Sequence, residues 1–390
     1  MASHPQFKDS TEAAEVAGTF ASSVKDKIVL ITGVSPNSIG EGTAKALASH
    51  SPTRLILASR SVSKIEAVIS SLKSTFPSSS TVYQILEMDL SDLDSVRAAA
   101  SSILHDQEIP HINLLINNAG IMLIPARTLS PCGQEIHLTT NHISHFLLTN
   151  LLLPKLLAAG PDTRILNLTS SGHNFSPFRF TDPTFLHPLS SLPPSEVPDL
   201  NLVRSIFGPE QTDMLLHSTN PSSYHPALAY AQSKTANILF SLQLNLLPRL
   251  QKSGIRSYAV HPGSVETNLG RHVPAEEMQK ARDRAKASDS MFITLRKNPD
   301  QGASTTLVAA LDPGLPCVEI EEVDVDVEAA KTDPQTISAE KKKKQIAKNI
   351  YFADCQIADT LCKTYARDVD AAEKLWEWTE GVVGEKFSWE

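Results

Sequence analysis

The chain of 390 residues has only four cysteines, Cys132, Cys317, Cys355 and Cys362. None falls in a Cys-x-x-Cys pair, so no disulfide framework and no zinc site can be read from their spacing, and no metal is expected. Cys355 and Cys362 stand seven apart, where two packed thiols can share a helix face. This usage suits a reducing compartment. No stretch reaches the roughly 18 apolar residues of a membrane-crossing helix. The run from Phe146 to Leu157 is short and holds Asn150, Pro154 and Lys155. Residues 1–24 lack the apolar run of a secretory signal and read as a polar extension. The ending Phe387-Ser388-Trp389-Glu390 matches no targeting address, so a cytoplasmic location is expected. Basic charge is also scarce: 35 Lys and Arg face 43 Asp and Glu, a net charge of −8 with no basic stripe, which argues against nucleic acid as a partner. No internal repeat is visible.

What the sequence does have is a regular alternation. Short apolar runs at Ile28 to Thr32, Arg54 to Ser59, Val82 to Met88, Ile112 to Asn117, Arg164 to Thr169 and Ile255 to His261 read as strands. Amphipathic stretches between them read as helices: Ile39 to Ser49, one ending near Leu72, Leu93 to Leu104, Cys132 to Leu157 and Ala227 to Leu250. Such alternation implies βαβ units and an α/β fold, a Rossmann-type doubly wound parallel sheet with helices on both faces. Residues 25–390 then form one catalytic domain with two insertions. The first, 173–226, is rich in Pro and Ser, with an apolar middle from Leu200 to Leu216. The second, 316–344, is first acidic and β-branched, then ends in Lys341-Lys342-Lys343-Lys344, and is expected to be exposed and mobile.

Two segments bear on a cofactor. Thr32-Gly33-Val34-Ser35-Pro36-Asn37-Ser38-Ile39-Gly40 joins the first strand to the first helix, where glycines and a helix N-terminus can cradle a pyrophosphate. The second strand ends in Ser59-Arg60, not in the carboxylate that would hold a ribose 2′-hydroxyl; a guanidinium there suits a 2′-phosphate, hence NADPH/NADP+.

Four ordered features make the chain resemble the short-chain dehydrogenase/reductase family over about Lys25 to Leu311, with further similarity from Tyr351 to Gly381. They are the Thr32–Gly40 turn, Asn117-Asn118-Ala119-Gly120, Ser170-Ser171, and Tyr230-Ala231-Gln232-Ser233-Lys234. Asn141-His142-Ile143-Ser144-His145-Phe146, Pro299-Asp300-Gln301-Gly302-Ala303 and Tyr351-Phe352-Ala353-Asp354-Cys355 are similar to its retinol-dehydrogenase and WW-domain-oxidoreductase branch. The turn departs from the family pattern by one extra residue, with Ser38 where a glycine is expected.

The resemblance implies an NADPH-dependent carbonyl reductase or alcohol dehydrogenase. Tyr230 is the expected general acid/base, Lys234 lowers its pKa and binds the nicotinamide ribose, Ser171 rather than Ser170 holds the substrate oxygen, and Asn141 orders a relay water. Dinucleotide contacts are implied at Gly33, Ser35, Asn37, Ser38, Ile39, Gly40, Ser59, Arg60, Asp89, Leu90, Asn118, Ala119, Gly120, Pro262, Gly263, Val265 and Thr267. The partner is a small carbonyl or alcohol, and a homodimer is left open. Phe175, Phe178, Phe180, Phe185 and Phe207, together with Asn268 to Phe292, are expected to wall an apolar pocket over the nicotinamide. The alternatives are a sugar-nucleotide epimerase or dehydratase and a non-catalytic NADP-binding regulator.

Overall fold

The computed structural model describes residues 2–217, 222–287, 296–326 and 341–389. In chain order, α1 (Ala13–Thr19) and α2 (Ala21–Val24) lead into β1 (Ile28–Thr32), α3 (Ile39–Ala48), β2 (Arg54–Ser59), α4 (Val62–Thr75), β3 (Val82–Glu87), α5 (Leu93–His105) and β4 (Leu114–Asn117). Next come α6 (Ile136–Leu138), α7 (Ser144–Ala158), β5 (Arg164–Leu168), α8 (Leu200–Phe207), α9 (Pro209–His217), α10 (Pro226–Leu246), α11 (Pro248–Lys252) and β6 (Arg256–His261). The chain ends with α12 (Ala275–Ala287), α13 (Pro299–Leu311), β7 (Glu319–Asp326), β8 (Lys341–Lys348), β9 (Tyr351–Ala353), β10 (Gln356–Ile357) and α14 (Val369–Val383).

The main sheet runs β10-β9-β6-β5-β4-β1-β2-β3, parallel except for β10. Strand residues alternate between two cores, as the pleat requires. Ile28 and Leu30 pack beneath α5, α7, α10 and α14; Val29 and Ile31 pack beneath α1, α3, α4 and α13. Burial on both faces explains the unbroken apolar strands. The direction of winding reverses between β1 and β4, which is where an open α/β sheet leaves its ligand crevice.

Three expectations change. Residues 1–24 are not a bare polar extension: Phe7, Val16, Ala17, Phe20 and Val24 are buried, α1 packs on α13 and α3, and Asp312 accepts hydrogen bonds from the Ser3 N–H and hydroxyl at 2.8 and 2.6 Å. Small residues at helical spacing carry this face, which gave the segment its polar look. The second insertion is not shapeless in its described part. Its acidic and β-branched residues form β7, paired antiparallel with the lysine-rich β8. The period-two alternation is a strand signal, and the charges answer one another across the ribbon, Lys343 with Glu322 at 2.9 Å and Lys348 with Glu321 at 2.5 Å. Residues 327–340 lie outside the described residues.

The third change concerns the aromatic residues of 173–226. Phe175 and Phe185 form a core of the insertion's own with Val203, Ile206, Leu228 and Ala231, while Phe178 and Phe180 turn away to Trp378 and Lys374. A fifty-residue excursion needs a core to offset its ordering entropy, and its large side chains are spent there. Phe292 lies outside the described residues.

Candidate active site

The crevice is tied together at the ends of β1 and β4. The Asn118 amide donates to Thr32 O at 2.7 Å, and the Ala119 N–H donates to Thr32 Oγ1 at 3.0 Å. Gly33 has φ +75°, and a Cβ on it would stand 2.6 Å from Ala119 Cα. Gly33→Ala therefore combines left-handed strain of about 1–2 kcal/mol with overpacking of about 1–3 kcal/mol. Urea titration should register a loss of at least about 2 kcal/mol, and an unchanged midpoint would contradict the geometry.

At the start of α3, Asn37 adopts φ +59° and Ser38 Oγ accepts from Ser35 N–H at 3.2 Å and Glu41 N–H at 3.1 Å. The serine that replaces the expected glycine thus caps the helix with its own hydroxyl. Among the described residues the N–H groups of Ile39 and Gly40 find no partner. That is the arrangement a pyrophosphate requires, two free donors at a helix N-terminus, so these residues fit a dinucleotide.

Arg60 is exposed, and among the described residues it has no ion-pair partner, with Ser59 half-buried beside it. Asp89 is no helix cap: its carboxylate accepts the Ser91 N–H and hydroxyl at 2.9 and 2.7 Å, and Asp92 caps α5. Leu90 is buried, and its carbonyl accepts from Ser144 Oγ at 2.6 Å. Beyond β6, Pro262 leads to Gly263 at φ +89°, where a Cβ would lie 2.8 Å from Lys297 Cε. Val265 bridges to Lys297, and Thr267 Oγ1 accepts from Leu269 N–H at 3.3 Å. The sequence had not singled out Lys297, whose side chain is buried under this loop and pairs with Asp354 at 2.6 Å. An isolated lysine gives no pattern to find it by.

On the reacting side, Tyr230 and Lys234 share one face of α10, and both are buried. The side chain of Ser170 is the polar group that opposes the rise of the Tyr230 pKa. A Cβ on Gly172 would meet Ser170 Oγ at 3.3 Å and the tyrosine ring at 3.1 Å, so glycine keeps this corner open. Ser170, the neighbour of the expected Ser171, thus stands beside the tyrosine ring. A short helical segment begins at Ser171, and His173 Nδ1 donates to Ser170 O at 2.7 Å. Burial lowers the His173 pKa to about 3 and keeps the ring neutral, and because the Ser170 carbonyl can only accept, Nδ1 carries the proton.

Lys234 Nζ donates to Leu168 O at 2.9 Å and lies 5.7 Å from the centre of the Tyr230 ring. Burial lowers Lys234 to about 7 and raises Tyr230 to about 12, with the Ser170 side chain opposing the rise. The expectation that Lys234 holds the phenol low is thus corrected for the protein alone: its nitrogen sits over the ring face and engages a carbonyl. Asn141, in a π-helical turn between α6 and α7, gives its amide protons to Ile121 O at 3.0 Å and Ser233 Oγ at 2.9 Å and accepts from Ile121 N–H at 2.8 Å. Both amide protons are therefore committed within the protein. A Cβ on Gly120 would lie 3.2 Å from Asn141 Oδ1 and 3.5 Å from Lys234 Nζ, so glycine leaves the lysine accessible from the crevice. His142 and His145 are buried and held neutral, at about 3 and 4, which leaves them no role as bases.

The family model described as short chain dehydrogenase matches residues 27–180. Retinol dehydrogenase 11 of Homo sapiens is 32% identical over 92% of this chain and 86% of its own length. The chain belongs to the short-chain dehydrogenase/reductase family, in its retinol dehydrogenase branch. It is an oxidoreductase of CH–OH and C=O groups that uses a nicotinamide dinucleotide. Oxidoreductase fscI of Fusarium equiseti is 35% identical over 66% of this chain and 94% of its own length. A solved protein from Mycobacterium Paratuberculosis is 26% identical, covers 93% of this chain and 96% of its own, and superposes with a TM-score of 0.52. Among the described residues no helix is long and apolar enough to cross a membrane.

Proposed function

We propose that this dehydrogenase/reductase is NADP(H)-dependent and interconverts a bulky, lipophilic or aromatic ketone or aldehyde with its alcohol. The observation that carries the reading is the buried Tyr230 side chain, with Ser170 at its corner and Lys234 alongside. The bound dinucleotide supplies or accepts the hydride. Everything else is work for the chain's own residues. Ser170 and Tyr230 hold the substrate oxygen, and Tyr230 delivers its proton during reduction. A phenol pushed up to about 12 is fully protonated at neutral pH, the form reduction needs. Lys234 keeps donors to spare for the ribose hydroxyls, and the free N–H groups of Ile39 and Gly40 receive the pyrophosphate. Asn141 acts as a positioning residue through Ile121 and Ser233.

Ser170→Ala is expected to reduce kcat by roughly 10²–10³-fold, the cost of one donor to a developing oxyanion. Ser171→Ala should stay within a few-fold of wild type, and the reverse order would return the role to Ser171.

Arg60 supports the NADP(H) assignment, being exposed, cationic and, among the described residues, without an ion pair where a 2′-phosphate would sit. Arg60→Ala should weaken NADPH by about 10–100-fold, as expected for a charge-assisted hydrogen bond, while NADH changes little. A binding titration with equal losses for both cofactors would exclude the assignment.

The bulky-substrate reading is supported by the way the insertion and the segment after β6 close on each other: Ala285 of α12 joins the insertion's core, and Arg284 donates to Phe207 O at 2.9 Å. Turnover across a graded carbonyl series checks it, and a preference for small polar ketoses would contradict it.

A further inference from the structure

Residues 121–124 link the Asn117–Gly120 motif to the outer rim of the crevice, and both ends of this link are held through both backbone polar groups. Asn141 takes the N–H and the C=O of Ile121 at 2.8 and 3.0 Å. At the far end His137 Nε2 accepts from Ile124 N–H at 3.1 Å, and the Tyr224 hydroxyl donates to Ile124 O at 2.7 Å. Between them Leu123 sits at φ +56°, a conformation that a residue with a bulky side chain holds only where its surroundings over-determine it.

The clamp at Ile124 has a built support. His137 and Glu135 are both fully buried, with His137 Nδ1 at 2.7 Å from Glu135 Oε1 and the other carboxylate oxygen accepting Leu138 N–H at 3.0 Å. Because Nε2 must accept from Ile124, Nδ1 carries the proton toward Glu135, so the carboxylate selects the tautomer. The His137 ring also stands edge-on to Tyr230, with 6.4 Å between ring centres. Burial and the nearby Glu135 charge push the Tyr224 hydroxyl well above its ordinary range, so it stays a donor. Tyr224 comes from the end of the 173–226 insertion, so the clamp joins that insertion to the loop leaving the dinucleotide motif. Met122 in turn faces the segment after β6: a Cβ on Gly270 would lie 3.9 Å from its methyl and 3.3 Å from that of Met278 on α12.

We propose that Glu135, His137 and Tyr224 form a clasp that holds residues 121–124 as a rigid wall of the substrate cleft and thereby sets affinity for the bulky carbonyl substrate, not for the dinucleotide. The proposal rests on the function proposed above, in which this cleft receives such a substrate. All three are positioning residues; none delivers a proton to the substrate. The two donors and acceptors meet on one residue, so their effects are expected to be non-additive.

The test uses the full-length chain, with Tyr224→Phe and His137→Gln, alone and together. Tyr224→Phe keeps the ring and removes one hydrogen bond, so it keeps the proposal testable even if His137→Gln unsettles the fold. For a bulky aromatic ketone, KM should rise about three- to tenfold in Tyr224→Phe, the equilibrium equivalent of one neutral hydrogen bond, with kcat within about twofold. NADPH affinity should be unchanged, as should kcat/KM for a small ketone that does not reach the wall. The double variant should lose little beyond the worse single one. Amide hydrogen exchange in the peptide spanning 121–128 should quicken by a similar factor in both single variants, while exchange in β1 stays constant. That readout needs no turnover, so it separates failure of the clasp from failure of the proposed reaction. Unaltered exchange, equal KM changes for small and bulky ketones, or a parallel loss of NADPH affinity would each overturn the proposal.

Discussion

Tyr230→Phe is expected to cut turnover by roughly 10²–10⁴-fold, the contribution of a positioned acid or base. The variant should bind NADPH as the wild type does, because the ring and its packing against His137 remain and only the transferable proton is removed. Ser170 alone would still hold the substrate oxygen, so the loss should fall on kcat more than on KM. Direction matters as well. The phenol is pushed up to about 12, so reduction should be insensitive to its ionisation across the neutral range. Alcohol oxidation needs the phenolate and should rise as the pH is raised. Steady-state kinetics in both directions check this; a variant retaining more than about a tenth of the wild-type rate would remove Tyr230 from the role.

Lys234→Met should abolish most activity and, at about pH 6, make the fold more stable. Burial lowers this lysine to about 7 from its ordinary 10.5. A charged form disfavoured in the folded chain costs stability in full below about pH 7, where the group is protonated in both states. Between about 7 and 10.5 the unfolded chain binds the extra proton, so wild-type stability rises with pH across that window and the advantage of methionine shrinks. A shift of this size corresponds to a few kcal/mol at most. Little is lost in return: Leu168 O, which Lys234 engages, also accepts from Asn237 at 2.8 Å and stays satisfied. Denaturant midpoints at several pH values measure this. A variant less stable than wild type at about pH 6 would show that Lys234 contributes more through packing and hydrogen bonding than its burial costs.

How much of this was legible beforehand varied with the kind of signal. The six strands of the dinucleotide-binding half and the helices between them follow from hydrophobic period, and the strands' observed bounds fall within two residues of the apolar runs. The Gly33 turn, Asn118, Gly120, Tyr230 and Lys234 were visible because each carries a residue type its chemistry demands. Ser170 against Ser171 was not decided by residue type: two adjacent serines differ only in which one precedes the turn into a helical segment, and the corner at Gly172 places Ser170 beside the tyrosine ring. The β7–β8 ribbon was missed because its charge suggested solvation, although the alternation of Val323, Asp324, Val325 and Asp326 opposite the lysine run was there to read. Helices α1 and α13 escaped notice because their buried faces are largely alanine, glycine and threonine, whose apolar period is faint. Glu135 and His137 meet across two residues of sequence, yet nothing local indicates that their shared target is the backbone of Ile124.

The most direct test of the account is a stoichiometric one. Purified protein, NADPH and a bulky aromatic ketone should give one alcohol per NADPH oxidised, with Tyr230→Phe silent under the same conditions although it still binds NADPH. NADPH left unconsumed across a panel of lipophilic and aromatic carbonyls, or consumed equally by Tyr230→Phe, would contradict it.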